Sequence, residues 1–122
     1  MGIRIIEKTL ALIRDIGPRW WFIENPRGML RTLAVMQKYR RFTVAYCQYG
    51  DTRQKPTDIW TNASWWQPRP MCSPGSRCHV PAPRGAKTGT QGIARVVDRS
   101  RIPPDLFLEI FAQIPPTIEV VS

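Results

Sequence analysis

Trp20-Trp21-Phe22-Ile23-Glu24-Asn25-Pro26 is an apolar, aromatic run that ends abruptly in a carboxylate, an amide and a proline. It lies between two segments of helical periodicity, the pattern of a buried strand whose carboxyl end delivers polar groups to a surface. Ligands of open α/β sheets sit in the crevice at the carboxyl ends of strands, so Glu24 and Asn25 are the first candidates for chemistry. A plainer role is open to the same pair, that of capping the helix that follows.

Upstream, Ile3, Ile6, Leu10 and Ile13 recur at helical spacing, with Ile5, Leu12 and Ile16 widening the stripe. The pattern predicts an amphipathic helix over residues 3 to 16, stopped by Gly17-Pro18. Downstream, Pro26 suits the first turn of a second helix with Asn25 as its N-cap. Met29, Leu30, Leu33, Val35 and Met36 supply its apolar positions as far as about Tyr39. A second strand, Phe42 to Cys47, follows. Strand, helix and strand in this order predict a parallel βαβ unit with a right-handed crossover, the core of a Rossmann-like sheet. Glu24-Asn25 and Gln48-Tyr49-Gly50 then emerge on one edge. Thr57 to Thr61 comes too soon for another crossover and is expected to pair antiparallel with the second strand.

Beyond Ser64 the composition changes. Residues 64 to 104 hold seven of the twelve prolines, four of the eight glycines, and seven Arg or Lys against the single acid Asp98. So little periodicity with so much charge reads as a long basic loop system. A short helix is expected from Asp105 to Ile114, opened by Pro103-Pro104 and ended by Pro115-Pro116, with a tail that is a last strand or a frayed end. The 122 residues therefore form one domain: an α/β core over 1 to 63, the basic loops over 64 to 104, and a helix and tail over 105 to 122.

Eighteen Arg and Lys against nine Asp and Glu give a net charge of +9, so a polyanion is the default partner, although a basic surface also serves solubility alone. No apolar run approaches the roughly 18 residues that span a bilayer. The opening Met1-Gly2-Ile3-Arg4 lacks the features of a secretory signal, and three cysteines, an odd number, argue against a disulfide framework. A cytoplasmic location is the expectation.

Several side chains are candidates for chemistry. Glu24 at a strand end can accept from an amidine-like edge, a protonated ring nitrogen beside an exocyclic amine, as in cytosine. Arg53 and Lys55 in the hairpin on the same edge can neutralise a phosphate or a base carbonyl, or form a solvated turn. Cys72, Cys78 and His79 make a C-x5-C-H set with Cys47 as a fourth donor for zinc. Its spacing differs from the usual paired signature, and loop cysteines beside a surface histidine are the alternative. Arg84 through Thr90, with Lys87, lacks the spacing of a nucleotide-binding P-loop and suits a nucleic-acid backbone better. Trp65 and Trp66 are placed to stack on bases, whereas alternation puts Trp60 in the core.

Taken together, Glu24-Asn25-Pro26, Tyr46-Cys47-Gln48-Tyr49-Gly50 and Lys55-Pro56-Thr57-Asp58-Ile59-Trp60-Thr61-Asn62 resemble the C-terminal half of DNA cytosine methyltransferases, particularly phage-encoded ones. Cys78-His79, Ala82-Pro83-Arg84-Gly85, Thr88-Gly89-Thr90-Gln91-Gly92 and Arg101-Ile102-Pro103-Pro104 extend the likeness, which covers roughly residues 20 to 114. The resemblance implies a Rossmann-like fold that uses S-adenosylmethionine to methylate a cytosine flipped out of the duplex, in a bacterial host if phage-encoded. It assigns Glu24 to the cytosine ring nitrogen and amine, with Asn25 beside it. Gln48, Arg53, Lys55, Arg84 and Lys87 become DNA-facing.

Two features of that family are absent from the sequence. Its nucleophilic cysteine follows a proline, whereas Cys47, Cys72 and Cys78 follow Tyr46, Met71 and Arg77; and no glycine-rich cofactor turn precedes Trp20. A carboxylate without a nucleophile positions a base but cannot begin covalent addition. The expectation is a DNA-binding, base-positioning fragment that is inactive alone. Either a second chain supplies the cofactor site and cysteine, or the chain is a stand-alone nucleic-acid-binding or protein-interaction module.

Overall fold

Three strands meet with the last of them in the middle. In the computed structural model, which describes residues 2–73, 75–80 and 100–116, β1 (Phe22–Pro26) and β2 (Arg41–Ala45) both pair antiparallel with β3 (Pro56–Thr61), in the order β1-β3-β2. The helices are α1 (Ile3–Ile16) and α2 (Pro104–Gln113). The parallel βαβ unit expected of a Rossmann-like sheet is therefore overturned: every pairing is antiparallel. The hairpin of β2 with β3 stands. Its third strand was expected at the rim, but β3 lies between the other two.

Central placement of β3 follows from what its side chains bury. Five of its six residues, Thr57 to Thr61, are buried, so neither face is left for water. Pairs opposite each other across a sheet share a face. Glu24, Ile59 and Phe42 are in register on one side, and Ile23, Trp60 and Arg41 on the other. The first face packs Val44 and Ile59 under Tyr46, Tyr49 and Trp66, with Leu106 and Ile110 of α2 above them. The second packs Ile23 and Trp60 against Ile6 of α1, Leu30 and Met36. One helix thus covers each face. The outer residues of the α1 stripe, Ile5, Leu12 and Ile16, remain exposed; only Ile6 is fully buried there. Gly17 ends α1 at φ 62, its N–H reaching Ile13 O at 2.8 Å.

The expected second α-helix is also corrected. Asn25 and Pro26 belong to β1, and the connection to β2 contains only two 3-10 turns, Met29–Thr32 and Ala34–Met36, separated by an extended Leu33. Two polar side chains account for this. Arg31 turns inward, donating from Nε to Asp58 Oδ2 at 2.8 Å and from Nη2 to Asp58 Oδ1 at 2.6 Å. Gln37 Nε2 donates to the carbonyls of Arg31 and Leu33, acceptors that a continuous helix reserves for its own amides.

β1 and β2, each antiparallel to β3, run in the same direction one strand apart. Their carboxyl ends and the start of β3 consequently share an edge, with Pro26 opposite Thr57 and Ala45 opposite Pro56. The shared rim inferred from sequence is present, though produced by a different topology. Past β3, Trp66 is fully buried and Trp65 half-buried against Trp20 and Phe22, so neither stands out as a stacking platform. Trp66 Nε1 donates to Glu109 at 3.1 Å. Among the described residues no helix is long and apolar enough to cross a membrane.

Candidate metal centre and carboxylate pocket

β2 ends in a 3-10 turn, Tyr46–Tyr49, and that turn supplies one group to each of two adjoining sites. Tyr46 serves the first and Cys47 the second.

The carboxylate pocket lies on the shared rim. Glu24 is half-buried, and its Oε1 accepts a hydrogen bond from the Tyr46 hydroxyl at 3.1 Å; among the described residues its Oε2 accepts none. Lys55 Nζ lies 5.4 Å and Arg53 Cζ 5.8 Å from the centre of the Tyr46 ring, within cation–π range. Both cations are buried. Arg53 grips Asp51 through Nε at 2.9 Å and Nη2 at 2.6 Å and donates to Arg101 O at 2.9 Å. Burial opposes ionisation of Asp51, yet its bonds to Arg53 outweigh that and hold the carboxyl below its ordinary value. Burial, reinforced by neighbouring Arg53, pushes the Lys55 ammonium below its own. Burial and the Glu24 charge push the Tyr46 phenol up, so it stays a donor. Lys55 has a φ of 34°, a region L-residues seldom occupy unless their surroundings impose it.

The second site gathers Cys47 with Cys72, Cys78 and His79, whose ligand atoms all lie within 4.8 Å of one another. Cys47 Sγ is 3.3 Å from Cys72 Sγ and 3.4 Å from Cys78 Sγ. His79 Nδ1 is 3.6 Å from Cys72 Sγ and 3.4 Å from Cys78 Sγ. The cysteines are free thiols, far beyond the roughly 2.05 Å of a disulfide. Zinc–ligand bonds of about 2.3 Å to sulfur and 2.0–2.1 Å to nitrogen imply tetrahedral edges of roughly 3.5–3.8 Å, close to these separations. This Cys3His cluster can hold a metal ion. Adjacent Cys78 and His79 both reach it because the imidazole offers Nδ1, the ring nitrogen nearer the backbone. Gly75 at φ 80 turns the intervening coil, which is closed by the amide and hydroxyl of Ser76 on Ser73 O.

Side-chain amides complete the cluster. Gln48 Nε2 lies 3.4 Å from Cys78 Sγ and 3.7 Å from Cys47 Sγ, and Gln54 Nε2 lies 3.4 Å from Cys72 Sγ. Such donors orient thiolates and offset their charge, the work of outer-shell partners in metal sites. Burial and its bonded thiol neighbours push the Cys47 thiol up to about 12. At Cys72 burial is outweighed by bonds from Cys47, Cys78 and Gln54, and the thiol falls below its ordinary value. A bound cation would draw all three toward thiolate.

No protein-family model matches this chain, and no curated protein or solved structure does either.

The rim therefore brings together Glu24, Arg53 and Lys55. Asn25 sits beside them in β1, opposite Asp58, its amide donating to Pro26 O at 3.0 Å. Gln48 faces the thiols. Arg84 and Lys87 lie outside the described residues. Sequence reading missed Tyr46, the partner of Glu24, and Gln54; the position of Tyr46 next to Cys47 was the available signal. Among the described residues no glycine-rich turn joins a strand to the N-terminus of an α-helix, so they offer no such cradle for S-adenosylmethionine.

Proposed function

We propose that this chain is a nucleic-acid-binding module resembling the base-recognition half of DNA cytosine methyltransferases, in which zinc at Cys47, Cys72, Cys78 and His79 has a structural role. The observation that carries base recognition is Glu24: a carboxylate with one oxygen fixed by Tyr46 and the other without a hydrogen bond among the described residues, on a rim flanked by Lys55 and Arg53. A protonated cytosine edge presents two donors, N3–H and the exocyclic amine, and a carboxylate accepts both. Thymine presents N3–H beside a carbonyl, which a carboxylate repels. A pair of this kind discriminates by about 1–3 kcal/mol, roughly five- to 150-fold. Reaching the base requires it to be out of the stack. The basic surplus supplies the sequence-independent part of binding.

Zinc is the metal whose chemistry suits three thiolates and an imidazole in a four-coordinate site. With every position taken by protein, the ion braces the fold and leaves no coordination site for substrate.

A binding role is favoured over an enzyme complete in this chain by one further observation. All three cysteines of the chain are in the cluster, which leaves no thiol beside Glu24 to attack a pyrimidine. Calorimetric titration with S-adenosylmethionine, with and without a cytosine-containing duplex, separates the two readings, since cofactor binding by this chain would favour the enzyme.

The test of base recognition is fluorescence anisotropy with duplexes carrying one unpaired cytosine or thymine. The cytosine duplex should bind at least about five-fold tighter. Glu24→Gln should abolish that preference and leave salt-dependent binding in place, because a carboxamide can turn either face to either base. A preference unchanged in Glu24→Gln would remove the carboxylate from the reading.

A further inference from the structure

We infer that the Cys3His metal centre positions the carboxylate pocket: an ion held by Cys47 fixes the neighbouring Tyr46 and the loop carrying Arg53 and Lys55 against Glu24. The inference rests on the zinc and base-recognition readings above and adds a dependence of one upon the other. Cys47 and Tyr46 are consecutive residues of one 3-10 turn, so anchoring the first leaves the second little freedom. The loop from Tyr46 to Lys55 is closed on itself by Tyr46 N–H to Gln54 O at 2.7 Å and Asp51 N–H to Tyr46 O at 3.3 Å. Its links to the coil of residues 72–80 pass mainly through the thiols: Cys47 to Cys72 and Cys78, Gln48 to Cys78, and Gln54 to Cys72. Among the described residues a single backbone bond joins the same two segments, Val80 N–H to Thr52 O at 2.8 Å.

The coil gives the loop little other support. Ser73, Gly75, Arg77, Cys78 and Val80 are exposed, and the described residues among 72–80 form no helix or strand. A coil of this kind contributes few apolar contacts, so its order depends on a polar or metal tie. Yet the loop that it backs holds a lysine at positive φ, buried against a tyrosine ring, a conformation that persists only when the surroundings over-determine it. Buried Tyr46 and Tyr49 and the Arg53 bonds to Asp51 and Arg101 O hold the loop from the side of the sheet and α2, and the ion holds it from the side of the coil. Cys47 is thus a positioning residue for a pocket to which it contributes no atom.

Native-state hydrogen exchange of the full chain in zinc-buffered solution tests this without requiring a stable metal-free fold. A loop that opens only when zinc leaves gains protection in proportion to free zinc. The Tyr46 and Asp51 amides should therefore become about ten-fold better protected per ten-fold rise in free zinc, and at the lowest free zinc they should be far less protected than amides of the β1–β3 ladder. In parallel, acylation of lysines followed by mass spectrometry should show Lys55 at least ten-fold slower than exposed Lys8 and Lys38 in saturating zinc. That gap should close as zinc is withdrawn, as should the preference for cytosine. Zinc bound at one equivalent with Tyr46, Asp51 and Lys55 indifferent to it would overturn the inference and leave the metal reading standing. Ladder amides no better protected than the loop at the lowest free zinc would also overturn it, because the ion would then hold the whole fold. Absence of zinc binding would end the metal reading and the inference together. Equal binding of cytosine and thymine at every zinc concentration would end the base reading and the claimed dependence.

Discussion

At the scale of single residues, Asp58 shows how a buried charge can replace regular structure. Its carboxylate is fully buried on β3, gripped by Arg31 and accepting from the Thr43 hydroxyl at 2.8 Å. Burial opposes its ionisation, but the bonds to Arg31 and Thr43 prevail and hold its carboxyl below the usual range. A carboxyl depressed on folding stabilises the protein above its unfolded value, near 3.9, and that contribution disappears as pH falls through the lower folded value. Asp58→Asn should cost about 1.5–2 kcal/mol at neutral pH by urea denaturation, since it removes the charge bonded to Arg31, itself partly exposed. It should also remove this component of acid sensitivity, so the mutant and wild-type stabilities converge as pH drops toward 2. At the metal centre, Gln54→Ala keeps all four ligands and loses one amide donor to Cys72. Competition against a chromogenic chelator should show zinc affinity weakened by about ten-fold.

Among the elements, those legible in the sequence were the ones whose signal is local. The period of α1, the Gly17 stop, the β-branched run of β3 and the proline-bounded α2 depend on neighbours within a few positions, and they appear within a residue or two of expectation. Residues 26 to 39 had helical periodicity and did not form a helix. What decides their form is long-range: the Asp58 that captures Arg31 is 27 residues away. Strand direction was equally hidden, because a periodic segment between two strands implies a parallel crossover only if nothing inserts between them, and β3 inserts. The turn at Gly50 is a local feature with a tertiary consequence. Gly50 has φ 87°, and a Cβ there would lie 3.3 Å from Asp105 Oδ2 in α2. Gly50→Ala should therefore lower stability by roughly 1–2 kcal/mol, from backbone strain at positive φ, while the exposed Asp105 side chain gives way. Gly2→Ala, which meets nothing within 4 Å, serves as the control in the same thermal melts.

For the molecule as a whole, the candidate site was visible as residue types and, in outline, as a constellation, while its geometry waited on the fold. Glu24, Arg53, Lys55, Cys72, Cys78 and His79 all stood out by chemistry, with Cys47 as a fourth donor, and the fold brings Cys47, 25 residues from Cys72, into the set. The same convergence makes global stability a function of metal supply. A ligand that binds only the folded chain stabilises it by RT ln(1 + [L]/Kd), about 4 kcal/mol at a thousand-fold excess over Kd. The sheet retains two apolar layers of its own, anchored by Trp60 and Trp66, so it should survive chelation where a domain built on metal alone would not. Differential scanning calorimetry across a zinc-buffer series should therefore show Tm rising with the logarithm of free zinc from a folded metal-free baseline. A melt indifferent to zinc would mean that the four donors converge without serving an ion. Complete loss of the transition on chelation would mean that the hydrophobic layers around β3 are too small to hold the fold.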